Sequence, residues 1–115
     1  MTKRSLGEFE QLILFALLEL EEEAYGASIG REIEKRTGRE VSAGAIYTGL
    51  ERLAARGLVS GEVGGPTPER GGRRRKYYRL EPEGAAQLSR SVDVFRAMSS
   101  GLLPKLESII DGDGQ

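Results

Sequence analysis

The chain has 115 residues and a formal net charge of −1, with no cysteine and no histidine. This length suits a single hydrophobic core. Without cysteine there are no disulfides or thiolate metal sites, and without histidine the commonest general base and metal ligand is missing. We therefore expect no enzyme, no cofactor and no metal. The longest apolar run, residues 12–18, is far shorter than the ~20 residues of a membrane span, so a soluble cytoplasmic protein is expected.

Three helices are predicted in the first half of the chain. Ser5 and Glu8 have the spacing of a capping box, and apolar residues recur after them at intervals of three and four, which predicts a first helix that begins after Ser5. A second helix is predicted over residues 27–37 and ends at Gly38. The third is predicted over residues 43–56, with Ser42 as its N-cap. A short turn that begins at a glycine joins the last two helices, which is typical of a helix-turn-helix.

A basic hairpin is predicted next. Residues 58–63 and 73–80 alternate as strands do, and the loop between them is rich in glycine and proline. Tyr78 and Leu80 are expected to face inward. Residues 66–80 contain six Lys/Arg side chains and a single acid. A basic hairpin on an acidic chain is typical of a wing that binds phosphates.

The last predicted helix starts at Pro82, because proline is favoured at the first helical position. Its apolar residues follow a heptad pattern, with Ser99 as a polar break, at Leu88, Val92, Phe95, Leu102, Leu106 and Ile109. A second copy of the chain is the simplest cover for such a seam. Gly101 and Pro104 predict a kink or break within it.

The expected fold is therefore mainly α with a small β-hairpin, a winged helix-turn-helix followed by a dimerisation helix. The DNA-binding domain is predicted over residues 1–81, and the dimerisation helix with its frayed tail over residues 82–115. The candidate DNA contacts lie on the third helix, the hairpin and the N-terminal arm: Ser42, Gly44, Tyr47, Thr48, Arg52, Arg70, Arg73, Arg74, Lys76, Lys3 and Arg4.

Several of these contacts have an alternative interpretation. The basic run of the hairpin is either a phosphate contact or a solubilising tip. Tyr47 either faces DNA or packs half-buried against the hairpin. Arg52 is either a donor to DNA or a partner of Glu51 or Glu62, and Lys3 and Arg4 form either an arm on the DNA backbone or a disordered tail.

The predicted dimer interface combines residues of the first and last helices: Phe9, Leu14, Leu88, Val92, Phe95, Leu102 and Leu106. Phe95 and Met98 either line a pocket for a small apolar ligand between subunits or belong to a plain dimer core.

Over about residues 6–84 the chain resembles the PadR family of bacterial transcriptional regulators. The matching segments are LGEFE at 6–10, YG at 25–26, GREVSAGAIY at 38–47, LERL at 50–53, RGLV at 56–59 and GGRRRKYYRL at 71–80. The resemblance, to the small members with one C-terminal helix, implies a dimeric winged-helix repressor that binds a palindromic operator and is released by a small ligand. Gly49, where a bulkier residue is usual, is expected to loosen the third helix or to let its backbone approach DNA.

The favoured hypothesis is a homodimeric, sequence-specific regulator of transcription that binds double-stranded DNA. The third helix would enter the major groove, and the hairpin would lie on flanking phosphates or the minor groove. The alternative is a winged-helix protein-interaction module that docks an acidic partner through the basic hairpin, because phosphate and carboxylate attract the same side chains.

Overall fold

The computed structural model describes residues 5–64 and 75–112, and over these residues five α-helices and one antiparallel hairpin form. They are α1 Glu8–Leu20, α2 Gly26–Thr37, α3 Ala43–Ala55, β1 Val59–Val63, β2 Lys76–Leu80, α4 Pro82–Ser99 and α5 Leu103–Ile110. One 3₁₀ turn, Glu21–Glu23, joins α1 to α2. The predicted fold class, mainly helical with a small hairpin, is confirmed.

The start of α1 differs from the prediction. Its N-cap is Gly7 rather than Ser5, and the Gly7 N–H donates to Oε1 of Glu10 at 2.9 Å. Leu6 is buried in the core just before this cap. Because Leu6 is packed into the core ahead of the cap, the helix begins two residues later than the capping-box spacing suggested.

The centre of the core is formed by α1, whose Ile13 and Leu14 are fully buried. The other large, fully buried side chains come from α2, α3 and the start of the hairpin: Ile29, Ile46, Leu50, Leu53 and Leu58. Leu88 of α4 is buried in the same cluster, and Phe9 packs against it partly exposed. The prediction that Leu14 and Leu88 form a dimer interface is therefore wrong, because the core of the single chain already covers both side chains.

Gly49 is a packing residue. A Cβ atom at Gly49 would lie 2.6 Å from Cδ1 of Ile13 and 3.6 Å from the ring of Phe9, and the residue itself is buried. The glycine thus lets α1 and α3 approach each other closely. The expectation that its backbone approaches DNA is wrong, since this side of α3 faces the core.

The predicted helix-turn-helix is confirmed. Gly38 follows α2 with a φ of 78°, and its N–H donates to the carbonyl oxygen of Glu34 at 2.8 Å, which ends the helix in the left-handed conformation that glycine favours. Ser42 caps α3, and its side chain accepts a hydrogen bond from the Ala45 N–H at 3.1 Å.

The hairpin pairs β1 and β2 in antiparallel register, with Val59 opposite Leu80 and Val63 opposite Lys76. Tyr78 is buried and Leu80 partly buried, as the alternation predicted. A third segment joins the sheet on the free side of β2. The Tyr78 N–H donates to the carbonyl oxygen of Ala24 at 2.9 Å, and an isolated antiparallel bridge pairs Tyr25 with Tyr77.

The predicted break in the C-terminal helix is confirmed between α4 and α5, where Gly101 has a φ of 75° and Pro104 falls in the first turn of α5. The first turns of α4 belong to the core through Gly84 and Leu88. Beyond them the two helices form an arm that projects from the body, and the molecule measures 62 × 36 × 20 Å along its principal axes.

The start of α4 yields a test of this packing. A Cβ atom at Gly84 would overlap the carbonyl oxygen of Leu58, which also accepts the Glu81 N–H at 3.0 Å. Gly84→Ala is therefore expected to lower the free energy of unfolding by roughly 1–3 kcal/mol, measured by urea denaturation. The control is Gly44→Ala in α3, where a Cβ atom would meet nothing within 4 Å. Equal stability of the native chain and Gly84→Ala would contradict the packing described.

Candidate nucleic-acid interface

The core covers one side of α3, where Ile46, Leu50 and Leu53 are buried. Helical periodicity turns the residues on the opposite side toward solvent. The predicted contact residues of this helix are all exposed: Ser42, Gly44, Tyr47, Thr48 and Arg52. Gly44, Thr48 and Arg52 also line one groove beside the start of α1. The structure thus places these three predicted residues on one surface.

Arg52 makes no ion pair with the part of the chain that the structure describes. The predicted alternative, a bond to Glu51 or Glu62, does not form, and Glu62 instead lies 3.9 Å from Arg79. Two other exposed arginines of the helix-turn-helix form ion pairs, Arg36 with Glu19 at 3.1 Å and Arg39 with Glu8 at 3.0 Å. Among the described residues the Arg52 guanidinium is therefore without an ionic partner, and phosphate is an acceptor that suits its donors.

Tyr47 contacts α2 as well as solvent. Its side chain is 47% exposed, but a Cβ atom at Gly26 would lie 2.5 Å from its hydroxyl oxygen. The tip of Tyr47 thus packs on the first residue of α2, while part of the ring remains open. The pKa of the Tyr78 hydroxyl is raised by burial, then by Tyr47 and then by Glu51.

The start of β2 carries two cations held over aromatic rings. The Arg75 guanidinium lies 4.2 Å from the centroid of the Tyr25 ring, and the Lys76 ammonium lies 5.7 Å from that of Tyr78. Tyr25 and Tyr77 meet edge to face at 5.5 Å. Such contacts are attractive, so this cluster attaches the hairpin to the start of α2 and presents Arg75 and Lys76 on an exposed strand end.

Arg75 and Tyr25 were not among the residues predicted for this site. Arg75 was one cation among several in the basic run, and Tyr25 appeared only as part of a turn. Nothing local in the sequence shows that positions fifty residues apart come into contact. The one available signal is the aromatic pair beside the cations, Tyr77 and Tyr78, which is suited to stacking.

Five predicted contact residues lie outside the described residues: Lys3, Arg4, Arg70, Arg73 and Arg74. Within the described residues there is no group of three or more acidic side chains, histidines or cysteines that could hold a metal ion. No described helix is long and apolar enough to cross a membrane.

The arm formed by α4 and α5 exposes a continuous series of large apolar side chains. Phe95 is 67% exposed and Ile109 76% exposed. The other exposed members are Val94, Met98, Leu102, Leu103, Leu106 and Ile110. The predicted ligand residues Phe95 and Met98 line one groove of about 490 Å³ between α4 and the start of α1, and Val92 lines a second groove on the other side of α4 with Phe15 and Leu18 of α1.

Comparison with known proteins adds an independent observation. The model of a family described as the transcriptional regulator PadR-like family matches residues 13–90. Among solved structures, a PadR family transcription regulator from Clostridium difficile is 26% identical with a TM-score of 0.70, over 87% of this chain and 99% of that chain. A PadR family regulator from Eggerthella lenta is 27% identical with a TM-score of 0.67, over 88% of each chain. A PadR-like regulator from Bacillus cereus is 28% identical with a TM-score of 0.65, over 85% of this chain and 89% of that chain. No curated protein matches the chain.

Tyr78, a buried residue, predicts a specific alkaline sensitivity. Its pKa is raised in the folded chain by burial, followed by Tyr47 and Glu51, above the ordinary value of about 10. The unfolded chain therefore loses this proton first, and the stabilisation, fully present below pH ~10, is lost as pH rises through the folded pKa. Tyr78→Phe is expected to show a smaller loss of unfolding free energy in this window, measured by urea denaturation at several pH values. Identical pH profiles for the two proteins would contradict the assignment.

Proposed function

Because this chain belongs to the PadR-like family of transcriptional regulators, we propose that it is a homodimeric repressor that binds a palindromic operator in double-stranded DNA. Members of this family are DNA-binding regulators and not enzymes. The observation that carries the proposal is the exposed surface of α3, where Gly44, Thr48 and Arg52 lie together and Arg52 is left without an ion pair among the described residues. The proposal has three further parts: contact of this surface with DNA, association of two copies and release by a small ligand.

The first step is the docking of α3 in the major groove. A helix that follows a helix-turn-helix turn presents its N-terminal residues to base edges. Gly44 supports this orientation, because a Cβ atom at this position would meet nothing within 4 Å. The fold gains nothing from a glycine here, and glycine in a helix costs about 1 kcal/mol relative to alanine. The remaining role for glycine at this position is to let a molecule outside the chain come close to α3.

The hairpin supplies the phosphate contacts in this proposal. Arg75 and Lys76 are exposed at the start of β2, and Arg70, Arg73 and Arg74 stand shortly before them in the sequence. Contacts of this kind add affinity and salt dependence without sequence preference. Lys3 and Arg4 are proposed to lie on the DNA backbone as a basic arm.

A second copy of the chain is proposed to cover the arm. Eight large apolar side chains of the arm are exposed, and four of them, Phe95, Leu102, Leu106 and Ile109, stand at the predicted heptad positions. An apolar face of this size is unusual on a monomer and marks an interaction surface. A two-fold axis through paired arms would place the two α3 helices on half-sites about one helical turn apart.

A small apolar effector is proposed to bind beside this interface. The groove that contains Val94, Phe95 and Met98 also contains polar side chains, among them Gln11 and Gln87. An apolar lining with a few polar groups is typical of small-molecule sites. Because Gln87 also accepts a hydrogen bond from Arg56, the residue that follows α3, at 3.2 Å, a ligand here would act on the junction between the arm and the DNA-binding surface.

The first experiment tests the orientation of α3 with Gly44→Ala. The operator is first selected from genomic fragments with the full chain, and affinity is then measured by fluorescence anisotropy. We expect the variant to be at least as stable as the native chain but to bind the operator about tenfold or more weakly, since overpacking typically costs 1–3 kcal/mol. For the native chain, log K should fall with log salt at a slope near −5, if about six phosphates are neutralised.

Two outcomes would count against this proposal. Unchanged operator affinity of a stable Gly44→Ala chain would show that α3 does not approach DNA at this position. Selection of no fragment at any salt concentration, with binding of acidic polypeptides such as polyglutamate through the hairpin, would instead favour the protein-interaction module.

The second experiment tests the dimer. Leu106 lies on the exposed apolar face of α5, and a charge there would be buried without a partner in a paired arm. The native chain is expected to sediment at twice the 12.5 kDa of one chain, and Leu106→Asp at the monomer mass. Ser108→Asp, which adds the same charge on another face of α5, is the control and should remain dimeric. A native chain that sediments as a monomer at micromolar concentration would contradict the proposal.

A further inference from the structure

The N-terminal end of α3, which is proposed to contact base edges, lacks the side chains that usually recognise bases. Its first two turns with the N-cap, residues 42–49, bury Ile46 and Gly49 against the core. The exposed residues there are Ser42, Ala43, Gly44, Ala45, Tyr47 and Thr48. None of them has a guanidinium or a carboxamide group, so the bidentate pairs of arginine with guanine and of asparagine or glutamine with adenine cannot form from this segment.

Two of the three hydroxyl groups of the same segment, those of Ser42 and Tyr47, are engaged within the chain. Ser42 accepts the hydrogen bond that caps α3, and the hydroxyl end of Tyr47 packs on Gly26. The nearest long polar side chains, Glu51 and Arg52, lie in the third turn, away from the N-terminal end that enters a groove most deeply. What the first two turns offer an approaching base is mainly methyl groups.

Two of these methyl groups share a surface with Gly44. Ala45 and Thr48 line the same groove, and their spacing of three residues makes them neighbours on a helix. Gly44 lies beside them with open space where its side chain would be. The result is a small apolar patch with a gap next to it, which allows the backbone of α3 to come close to base edges.

From this patch we infer that α3 recognises thymine, through contact of the Ala45 and Thr48 methyl groups with the thymine C5-methyl group in the major groove. The inference rests on the proposed function and specifies which base feature the operator must contain. The C5-methyl group is the only apolar feature among the base edges of the major groove, and alanine and the threonine methyl are its usual partners. Burial of one methyl group corresponds to about fourfold in affinity.

The first arm of the test uses the selected operator with deoxyuridine in place of thymidine. Uracil keeps the O4 acceptor and the base pair, and lacks only the C5-methyl group. We expect one position per half-site, or two adjacent ones, at which symmetric replacement weakens binding of the native chain by about fifteenfold, which is fourfold for each half-site. Replacement of thymidines outside the region under α3 should have no effect.

The second arm assigns the contacts to residues. Thr48→Ser removes the methyl group and keeps the hydroxyl, whereas Thr48→Val keeps methyl groups and removes the hydroxyl. Thr48→Ser should weaken binding and no longer distinguish thymine from uracil at one position, while Thr48→Val should still distinguish them. Ala45→Gly should lose the distinction at the neighbouring position, and Ala54→Gly, an exposed residue of the last turn, controls for the cost of glycine in α3.

Failure of this inference is separable from failure of the proposed function. If the chain selects no operator, the proposed function itself is wrong. If it binds a selected operator tightly and specifically, but deoxyuridine substitution changes nothing, the function stands and thymine recognition is overturned. The contact of the Thr48 methyl group is likewise overturned if Thr48→Val weakens operator binding and Thr48→Ser does not, because the hydroxyl would then be the group that contacts DNA.

Discussion

The contact between Ile13 of α1 and Gly49 of α3 sets the orientation on which the candidate site depends. Because Cδ1 of Ile13 lies 2.6 Å from where a Cβ atom at Gly49 would be, the two helices can approach this closely only with glycine at that position. This packing fixes which side of α3 is buried. The opposite side, with Gly44 and Thr48, is thereby presented to solvent as one surface.

The hairpin reaches the core through Tyr78 and is also positioned by contacts outside it. Backbone hydrogen bonding at Ala24 and the bridge of Tyr25 to Tyr77 extend the sheet toward α2, and the Arg75 guanidinium on the Tyr25 ring adds a cation–π contact. Tyr25 also accepts a hydrogen bond from Arg31 at 3.0 Å. The same aromatic side chain therefore holds a cation of the hairpin and a cation of α2, so the two basic elements share one support.

A similar link joins the exposed surface of α3 to the arm. Arg56 follows α3 directly, lies 3.7 Å from Glu10 of α1 and donates to Gln87 of α4, while Glu10 also accepts the N–H that caps α1. The angle between the α3 surface and the arm is thus held by polar contacts as well as by Leu88 in the core. In the proposed dimer, that angle would determine the separation of the two recognition helices.

The sequence by itself determined the order and type of the elements, the Gly38 and Ser42 ends of the helix-turn-helix, the inward face of β2 and the break near Gly101. These features arise from local periodicity, capping and backbone preference, which neighbouring residues carry. Only the tertiary structure decided that Leu14 and Leu88 belong to the core, that Gly49 serves packing while Gly44 faces outward, and that Arg75 stacks on Tyr25. Such outcomes depend on contacts between residues far apart in the chain, and hydropathy alone does not distinguish an apolar side chain buried by its own chain from one left for a partner.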